Sequence, residues 1–163
     1  MENDKDVLLG QCKRISSDID AFIDGRFYEY DGRTLEVVED GDTTYFEDSN
    51  NGETFAYDTD SDSVTIDGET LDVALELDRL DLLDYFGDVY DIHYVTDSDG
   101  SLIGVKLLVA FGGPNIWIDT DAGLVRGYWW MDRANYPLSD AAVEAINEAF
   151  AGVCEGLRIH YEY

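Results

Sequence analysis

Apolar residues near the start of the chain recur at three- and four-residue spacing. The positions are Val7, Leu8, Cys12, Ile15, Ile19, Phe22 and Ile23, and Gly25 follows the last of them. This period places the apolar side chains on one stripe of a helix, and a glycine directly after such a stripe is a common helix stop. The pattern therefore predicts an amphipathic N-terminal helix.

From about residue 27 to residue 67 the period changes from helical to alternating. Short segments such as TLEVVE, TTYFED, ETFAYD and SVTID are separated by the turn sequences DG, GD, NNG and DSDS. Alternating apolar and polar residues separated by such turn sequences are typical of antiparallel hairpins. Most of the positions expected to face outward are Asp or Glu. Residues 71–86 are rich in Leu and fit either a short helix or an irregular apolar linker, of which we favour the helix.

The second half of the chain predicts a better-packed antiparallel meander. Its segments are YDIHYVT, SLIGVKLLVAF, NIWIDT and GLVRGYWW. Ser139 is a suitable N-cap for a following helix, with Leu138 placed to contact Val143. Gly156 is expected to end that helix, and the tail LRIHYEY alternates as an edge strand does.

Together these elements predict an α+β fold in which an antiparallel β-sheet, built from hairpins and a meander, packs with an N-terminal and a C-terminal helix. We expect residues 1–163 to form a single domain. Its acidic hairpin half is expected at residues 27–99, and its better-packed half, the meander with the C-terminal helix, at residues 100–163.

The charge of the chain is strongly negative and unevenly placed. Asp and Glu number 37 against 10 Lys and Arg, giving a net charge of −27, while 45% hydrophobic and 13% aromatic content favours a folded chain over a disordered one. Residues 31–99 hold 22 acids against Arg33 and Arg79, whereas residues 101–163 hold 8 acids against 4 bases. Cationic partners are therefore favoured, and nucleic acid and anionic membranes are repelled.

The N-terminal sequence MENDKDVLLG lacks the basic and apolar regions of a secretion signal. The longest apolar run, residues 107–111, is too short to span a bilayer, so we expect a cytoplasmic protein. In that setting Cys12 and Cys154 are interpreted as buried thiols.

Metal binding and catalysis find little support. Asp58, Asp60, Asp62 and Glu69 match the spacing of an EF-hand loop, but Ser63 stands where a glycine is needed and no helices flank the segment. Hairpin-turn acids are the better interpretation. His93 and His160 have no recognisable Ser or Cys nucleophile beside them, so we expect no enzyme, no cofactor and no metal.

An aromatic cluster ends the last meander segment. Alternation must point at least one of Trp129 and Trp130 away from the main core. Packing beneath the C-terminal helix is the plainer interpretation of these tryptophans, and an anchor in a protein interface is the functional one.

The acidic hairpins support the main functional hypothesis. Alternating acids on neighbouring strands form a regular array of carboxylates that imitates phosphates, spaced about 6.8 Å along a strand and about 4.8 Å between strands. The predicted surface consists of Asp40, Asp42, Glu47, Asp48, Glu53, Asp58, Asp60, Asp62, Asp67 and Glu69. Its predicted partner is a basic nucleic-acid-binding protein. Adaptation to high salt is an alternative explanation of the acidity, since the chain has only three lysines, Lys5, Lys13 and Lys106. Such adaptation should make the whole surface acidic, whereas residues 101–163 are only mildly acidic.

The stretch GGPNIWIDTDAGLVRGYWWMDRANYPLSDAAVEAINEAF, residues 112–150, resembles a C-terminal module of small acidic proteins from phages and mobile elements. Those elements carry antirestriction and anti-CRISPR inhibitors, several of which are acidic DNA mimics. The resemblance implies a stoichiometric inhibitor of a bacterial defence nuclease, a CRISPR effector or a restriction enzyme, acting in the host cytoplasm. A general acidic binding module for basic proteins is the alternative. No binding residues are carried over to the acidic segment, which matches no motif.

Overall fold

The computed structural model describes residues 4–161, with side-chain environments for residues 4–154. The predicted α+β class is confirmed, with two antiparallel sheets in place of one. The chain forms two compact units. We call residues 24–81 the hairpin unit, and residues 4–23 with 82–161 the meander unit. Whether the two unfold together as the expected single domain stays a prediction.

The hairpin unit is a seven-stranded antiparallel sheet with strand order β6-β5-β4-β3-β2-β1-β7. Its elements are β1 (Phe27–Tyr30), β2 (Arg33–Asp40), β3 (Thr43–Asp48), β4 (Thr54–Asp58), β5 (Ser63–Ile66), β6 (Glu69–Asp72), α2 (Val73–Glu76) and β7 (Asp78–Arg79). The first six strands follow one another as hairpins, as the alternation predicts.

One face of this sheet forms the core of the hairpin unit. Leu35, Phe46, Phe55 and Val64 come from four successive strands and are buried together. The ring of Tyr57 packs edge-on against Phe46, with centroids 5.0 Å apart. Burying aromatic and aliphatic side chains on one face leaves the other face of the sheet to solvent-compatible residues.

The preference for a helix across residues 71–86 is wrong. Leu71 lies in β6, and only the single turns α2 and α3 (Leu82–Tyr85) are helical. A continuous helix with a buried apolar stripe should bury Leu75 as well, yet that side chain is 84% exposed. The buried residues of the segment are spaced too irregularly for one helical face, so the chain follows the alternative of an irregular apolar linker.

The meander unit is a five-stranded antiparallel sheet with strand order β12-β11-β10-β9-β8. Its further elements are α1 (Asp4–Ile23), β8 (Asp91–Thr96), β9 (Leu102–Ala110), β10 (Asn115–Asp119), β11 (Leu124–Trp129), β12 (Asp132–Pro137) and α4 (Asp140–Tyr161). The four predicted meander strands are confirmed. The fifth, β12, was not predicted, because DRANYP lacks clear alternation and contains a proline.

Two long helices cover one face of this second sheet. α1 packs against β11 and β12, and α4 packs against β9. Gly127 permits the close approach of α1, because a Cβ at that position would lie 2.7 Å from Leu8 Cδ1 and 3.0 Å from Cys12 Sγ. Cys12 and Cys154 are both buried free thiols, as predicted.

The start of α4 is as predicted and its end is not. Ser139 Oγ accepts from the Ala142 backbone N at 3.0 Å and donates to Asp20 Oδ1 of α1 at 2.6 Å, so the N-cap also links the two helices. The helix continues past Gly156 to Tyr161, which overturns both the predicted stop and the edge strand over residues 157–161. One interior glycine costs only about 1 kcal/mol, so it does not end a helix by itself. Residues 162 and 163 lie outside the described residues.

Candidate functional site

Strand register decides which acids of the hairpin unit share a face. Glu36 pairs directly with Glu47, while the next pair along the strands is Val37 with Phe46. Paired residues project to the same side, and successive residues project to opposite sides. Glu36 and Glu47 therefore lie on the face opposite the core. We call this side of the seven-stranded sheet the acidic face.

The same register extends the acidic face across the whole sheet. It crosses from β1 and β7 at one edge to β6 at the other. The acidic residues that it places there are Glu29, Glu36, Asp40, Glu47, Asp58, Asp72 and Asp78. Half of the neutral strand residues on this face are Thr, and the others are Phe27, Val38, Tyr45, Ala56 and Ser63, of which Phe27 is buried. Six strands carry this field of carboxylates.

The arginines of the hairpin unit are segregated from this field. Register places Arg33 and Arg79 on the core face, opposite Tyr30 and Tyr28. Arg26 precedes β1, and its nearest carboxylate is Glu39 on the core face, at 3.9 Å. Among residues 24–81, all of which the structure describes, no strand position on the acidic face is Lys or Arg. The negative charges of that face are thus not alternated with positive ones.

Like charges also face each other directly. The Cβ atoms of a directly opposed antiparallel pair lie about 5 Å apart, and like charges in that position destabilise a sheet. Glu36 and Glu47 occupy such a pair in the centre of the hairpin unit. An opposite charge or a threonine at either position would remove this juxtaposition of like charges.

Of the ten acids predicted from the sequence, three lie on the acidic face: Asp40, Glu47 and Asp58. Asp42 and Asp60 are exposed in the turns at one end of the sheet, and Glu53 and Glu69 are exposed at its other end. Asp48 is only 4% exposed and accepts from the Asn50 backbone N at 2.9 Å, so it does not belong to an exposed surface.

Two more of the predicted acids hold turns together. The Tyr57 hydroxyl donates to Asp62 Oδ1 at 2.5 Å, and Arg33 Nη2 donates to Asp67 Oδ2 at 3.0 Å. Asp62 and Asp67 both have positive φ, at 51° and 52°. Burial, followed by the hydrogen bond to Asp62, raises the pKa of Tyr57 to about 12. These carboxylates fix the shape of the hairpins more than they extend the exposed field.

Sequence reasoning missed four members of the acidic face: Glu29, Glu36, Asp72 and Asp78. For Glu36 the signal was present, because it alternates with the apolar Leu35 and Val37 in TLEVVE. For Asp72 and Asp78 it was absent, since only the pairing with Ser63 and Glu29 assigns their face.

The EF-hand spacing at Asp58 to Glu69 spans two hairpins instead of one loop. Asp58 and Glu69 stand at opposite ends of β5, which pairs with β4 on one side and β6 on the other. The three residue steps between those ends cover about 10 Å, and β4 and β6 lie a further two strand spacings of about 4.8 Å apart, too far for the two carboxylates to share an ion. Within residues 4–154, no group of three or more His, Cys, Asp or Glu side chains is placed to hold a metal ion.

The aromatic cluster lies at the tip of the β11–β12 hairpin. Trp129 is half-buried, while Trp130 is 90% exposed at φ 57° and Met131 is 97% exposed. The prediction that at least one tryptophan points away from the core is confirmed. Left-handed backbone at a bulky residue is strained and often marks a functional position.

Two further aromatic side chains belong to the same end of the five-stranded sheet. Tyr90 precedes β8 and Phe111 follows β9, and they are 65% and 66% exposed with ring centroids 6.3 Å apart. β8 begins where β9 ends, and the β11–β12 turn shares that end through β10. We call Tyr90, Phe111, Trp130 and Met131 the apolar rim.

Comparison with protein-family models, curated proteins and solved structures finds no match to this chain. The resemblance of residues 112–150 to inhibitors from phages and mobile elements therefore stays a prediction. No helix among the described residues is both long and apolar enough to cross a membrane.

Proposed function

We propose that the protein is a stoichiometric inhibitor of a bacterial defence nuclease, a CRISPR effector or a restriction enzyme. In this proposal the acidic face occupies the basic channel that normally holds nucleic acid, and no catalysis is involved. The observation that supports it is the segregation of charge in the hairpin unit, where seven strand carboxylates share one face and the arginines lie elsewhere.

The physical basis of the proposal is competition for the same cations. A nucleic-acid-binding channel presents Lys and Arg at positions that neutralise phosphates. An array of carboxylates on strands can meet several of these cations at once, and its long-range field speeds the encounter. The strands that carry the array share a buried core on their other face, which holds the carboxylates in a fixed order. Rigidity matters because an ordered surface loses little conformational freedom on binding.

Charge alone gives binding that weakens steeply with salt, so a specific inhibitor needs apolar contacts too. The apolar rim offers such contacts, with Trp130 as its most exposed aromatic side chain. Trp and Tyr are enriched among the residues that dominate interface energies. We therefore assign Trp130, and not the half-buried Trp129, as the aromatic anchor of the inhibitor.

The test is capture by the tagged full-length protein of a panel of purified CRISPR effectors and restriction enzymes at near-physiological salt. A supporting result is one stoichiometric complex that blocks nucleic-acid binding and is displaced by excess duplex DNA. A complex that coexists with bound DNA would contradict occlusion of the channel. Absence of any complex across both enzyme classes would contradict the assigned partner class.

A pair of matched variants separates position from total charge. Glu29→Lys, Asp40→Lys and Glu47→Lys together reverse three charges of the acidic face, of which those of Glu29 and Asp40 are exposed and that of Glu47 is half-buried. Asp99→Lys, Glu144→Lys and Glu148→Lys reverse three exposed charges of the meander unit and change the net charge by the same amount. We expect the first triple to abolish inhibition and the second to retain it. Equal losses would indicate a general acidic module for basic proteins.

Adaptation to high salt predicts a different distribution of charge. Acids selected for salt should cover all exposed surfaces, whereas the 58 residues of the hairpin unit carry a net −16 and the other 105 residues carry −11. Circular dichroism at low and molar salt distinguishes the two. A fold that is complete at low salt supports the inhibitor, and one that requires molar salt supports adaptation.

A further inference from the structure

The face of the five-stranded sheet that lies away from the helices carries a small cavity. Its volume is about 230 Å³, and its lining residues are His93, Lys106, Trp117, Asp119, Arg126 and Tyr128. Register explains the grouping, because Lys106 pairs with both His93 and Asp119, and Trp117 pairs with Arg126. Their strand neighbours Leu107, Ile118 and Val125 are buried on the opposite face, beneath the helices.

The cavity concentrates cations that are scarce in this chain. Only seven Lys and Arg residues lie outside the hairpin unit. Three of them, Lys106, Arg126 and Arg133, are carried by β9, β11 and β12 on this one sheet face. Lys106 and Arg126 line the cavity, while Arg133 lies outside it, with its guanidinium 5.9 Å from the ring centroid of Tyr128.

One carboxylate partly balances the two cations. Asp119 is 5% exposed, and its Oδ1 accepts from the Ala122 backbone N at 3.0 Å. Its Oδ2 lies 3.9 Å from Arg126 Nε, which is too long for a hydrogen bond. Arg126 Nε is buried and makes no hydrogen bond to any residue that the structure describes. A buried donor without an acceptor costs free energy, and the nearby carboxylate of Asp119 offsets part of that cost.

The histidine of the lining is engaged outside the cavity. His93 Nε2 donates to Asp91 Oδ2 at 2.7 Å, and this hydrogen bond lowers the pKa of the Asp91 carboxyl. Besides His93, the lining carries two positive charges, on Lys106 and Arg126, and one negative charge, on Asp119. The cations of the lining thus outnumber its carboxylates by one.

Aromatic rings complete the wall of the cavity. Trp117 is half-buried, and the ring of His93 meets it edge-on with centroids 5.4 Å apart. Tyr128 lies on the same face of β11 as Arg126, two residues further along. Flat apolar surfaces beside paired cations suit a ligand that is itself flat and carries its charge at one end.

We propose that this cavity binds a small planar anion, an aromatic ring bearing one carboxylate. The carboxylate would accept from the Lys106 ammonium and from the partly exposed guanidinium of Arg126, and the ring would pack against Trp117 and Tyr128. One negative charge matches the excess charge of the lining, and the volume suits a single ring better than a larger ligand. This site is independent of the acidic face and of the proposed inhibition.

Isothermal titration calorimetry of the full-length protein with benzoate tests the proposal. Three probes serve as controls. Benzyl alcohol lacks the negative charge, acetate lacks the ring, and phenyl phosphate carries the larger phosphate group in place of the carboxylate. We expect one saturable benzoate site and weaker binding of all three other probes. Lack of saturation with benzoate would overturn the site. Acetate or phenyl phosphate binding as tightly as benzoate would overturn the assigned ligand class.

Variants locate the binding. Arg126→Gln and Lys106→Gln should each weaken benzoate binding about tenfold, the factor for one lost charge-assisted hydrogen bond. Arg133→Gln, on the same face but outside the cavity, is the matched control and should leave the affinity unchanged. Lys106 is exposed, so its variant decides the matter if Arg126→Gln fails to fold. Equal effects of Lys106→Gln and Arg133→Gln would place any binding elsewhere.

Discussion

Each of the two antiparallel sheets buries one face, but their outward faces differ in charge and in chemistry. The outward face of the hairpin unit displays seven acids with Thr, Val and Tyr between them, and its arginines lie on the other side. The outward face of the meander unit displays Lys106, Arg126 and Arg133 beside Trp117 and Tyr128, together with the two acids Asp91 and Asp119. Strand Lys and Arg residues thus occur on the outward face of the meander unit and not on that of the hairpin unit, a difference that general acidity does not require.

The cores differ as much as the outward faces. The meander unit is covered by the long helices α1 and α4, whereas the hairpin unit has only the single turn α2 and strands as its own elements. A core with fewer covering elements gains less free energy from apolar burial. We therefore expect the hairpin unit to be the less stable of the two, and the following changes test that difference.

The largest effect is expected from Phe46→Ala. Phe46 is fully buried at the centre of the hairpin unit, and such truncations cost about 3–5 kcal/mol. Ile118→Ala, at a fully buried position of the meander unit, is the counterpart, with an expected cost of about 2–5 kcal/mol. Two-dimensional NMR of Phe46→Ala should show which residues lose dispersion. Loss confined to residues 24–81 would establish separate unfolding, and loss throughout would establish the single domain.

Gly127→Ala should destabilise the meander unit by about 1–3 kcal/mol, the usual cost of overpacking. The added methyl would lie 2.7 Å from Leu8 Cδ1, so α1 must move away from β11. Urea unfolding followed by circular dichroism measures the loss. Gly152→Ala, where an added Cβ meets nothing within 4 Å, is the control and should not destabilise. A stable Gly127→Ala variant would contradict the close packing of α1.

The Tyr57 hydroxyl makes the stability of the hairpin unit depend on alkaline pH. Its folded-state pKa of about 12 lies above the ordinary value of 10.0, so the protonated phenol stabilises the fold fully below pH 10. That contribution is lost as the pH rises from 10 towards 12. Tyr57→Phe should cost about 1 kcal/mol at neutral pH through the lost hydrogen bond to Asp62. Unfolding of both proteins across that range should converge, and a constant difference would contradict the pKa shift.

The smallest effect on stability is expected from Glu47→Gln, and its sign is opposite. Removing one of two directly opposed charges should stabilise the hairpin unit by a few tenths of a kcal/mol, and under the proposed function it should weaken capture of a nuclease partner. Thermal unfolding and the capture assay are measured on the same preparation. Glu148→Gln, on exposed α4, is the control for charge removal. A loss of stability would show that the Glu36–Glu47 juxtaposition is not repulsive.

Much of the fold was present in local sequence patterns. The three- to four-residue period set α1, the alternation with Gly, Asp and Asn turns set the hairpins and most of the meander, and Ser139 set the start of α4. These features depend on residues a few positions apart, so a single sequence contains them. The acidic composition and its concentration before residue 100 are equally local facts.

The tertiary structure alone decided which residues act together. Pairing across strands assigned Asp72 and Asp78 to the acidic face, and burial showed that Asp48 does not belong to it. The same pairing brought Lys106, Asp119 and Arg126 to one cavity. It also joined residues 4–23 with residues 82–161 in one unit, although the whole hairpin unit separates them in sequence. The physical reason is that alternation determines only that two sides of a strand differ. Which side meets the core, and which distant side chains become its neighbours, follows from strand register and helix packing.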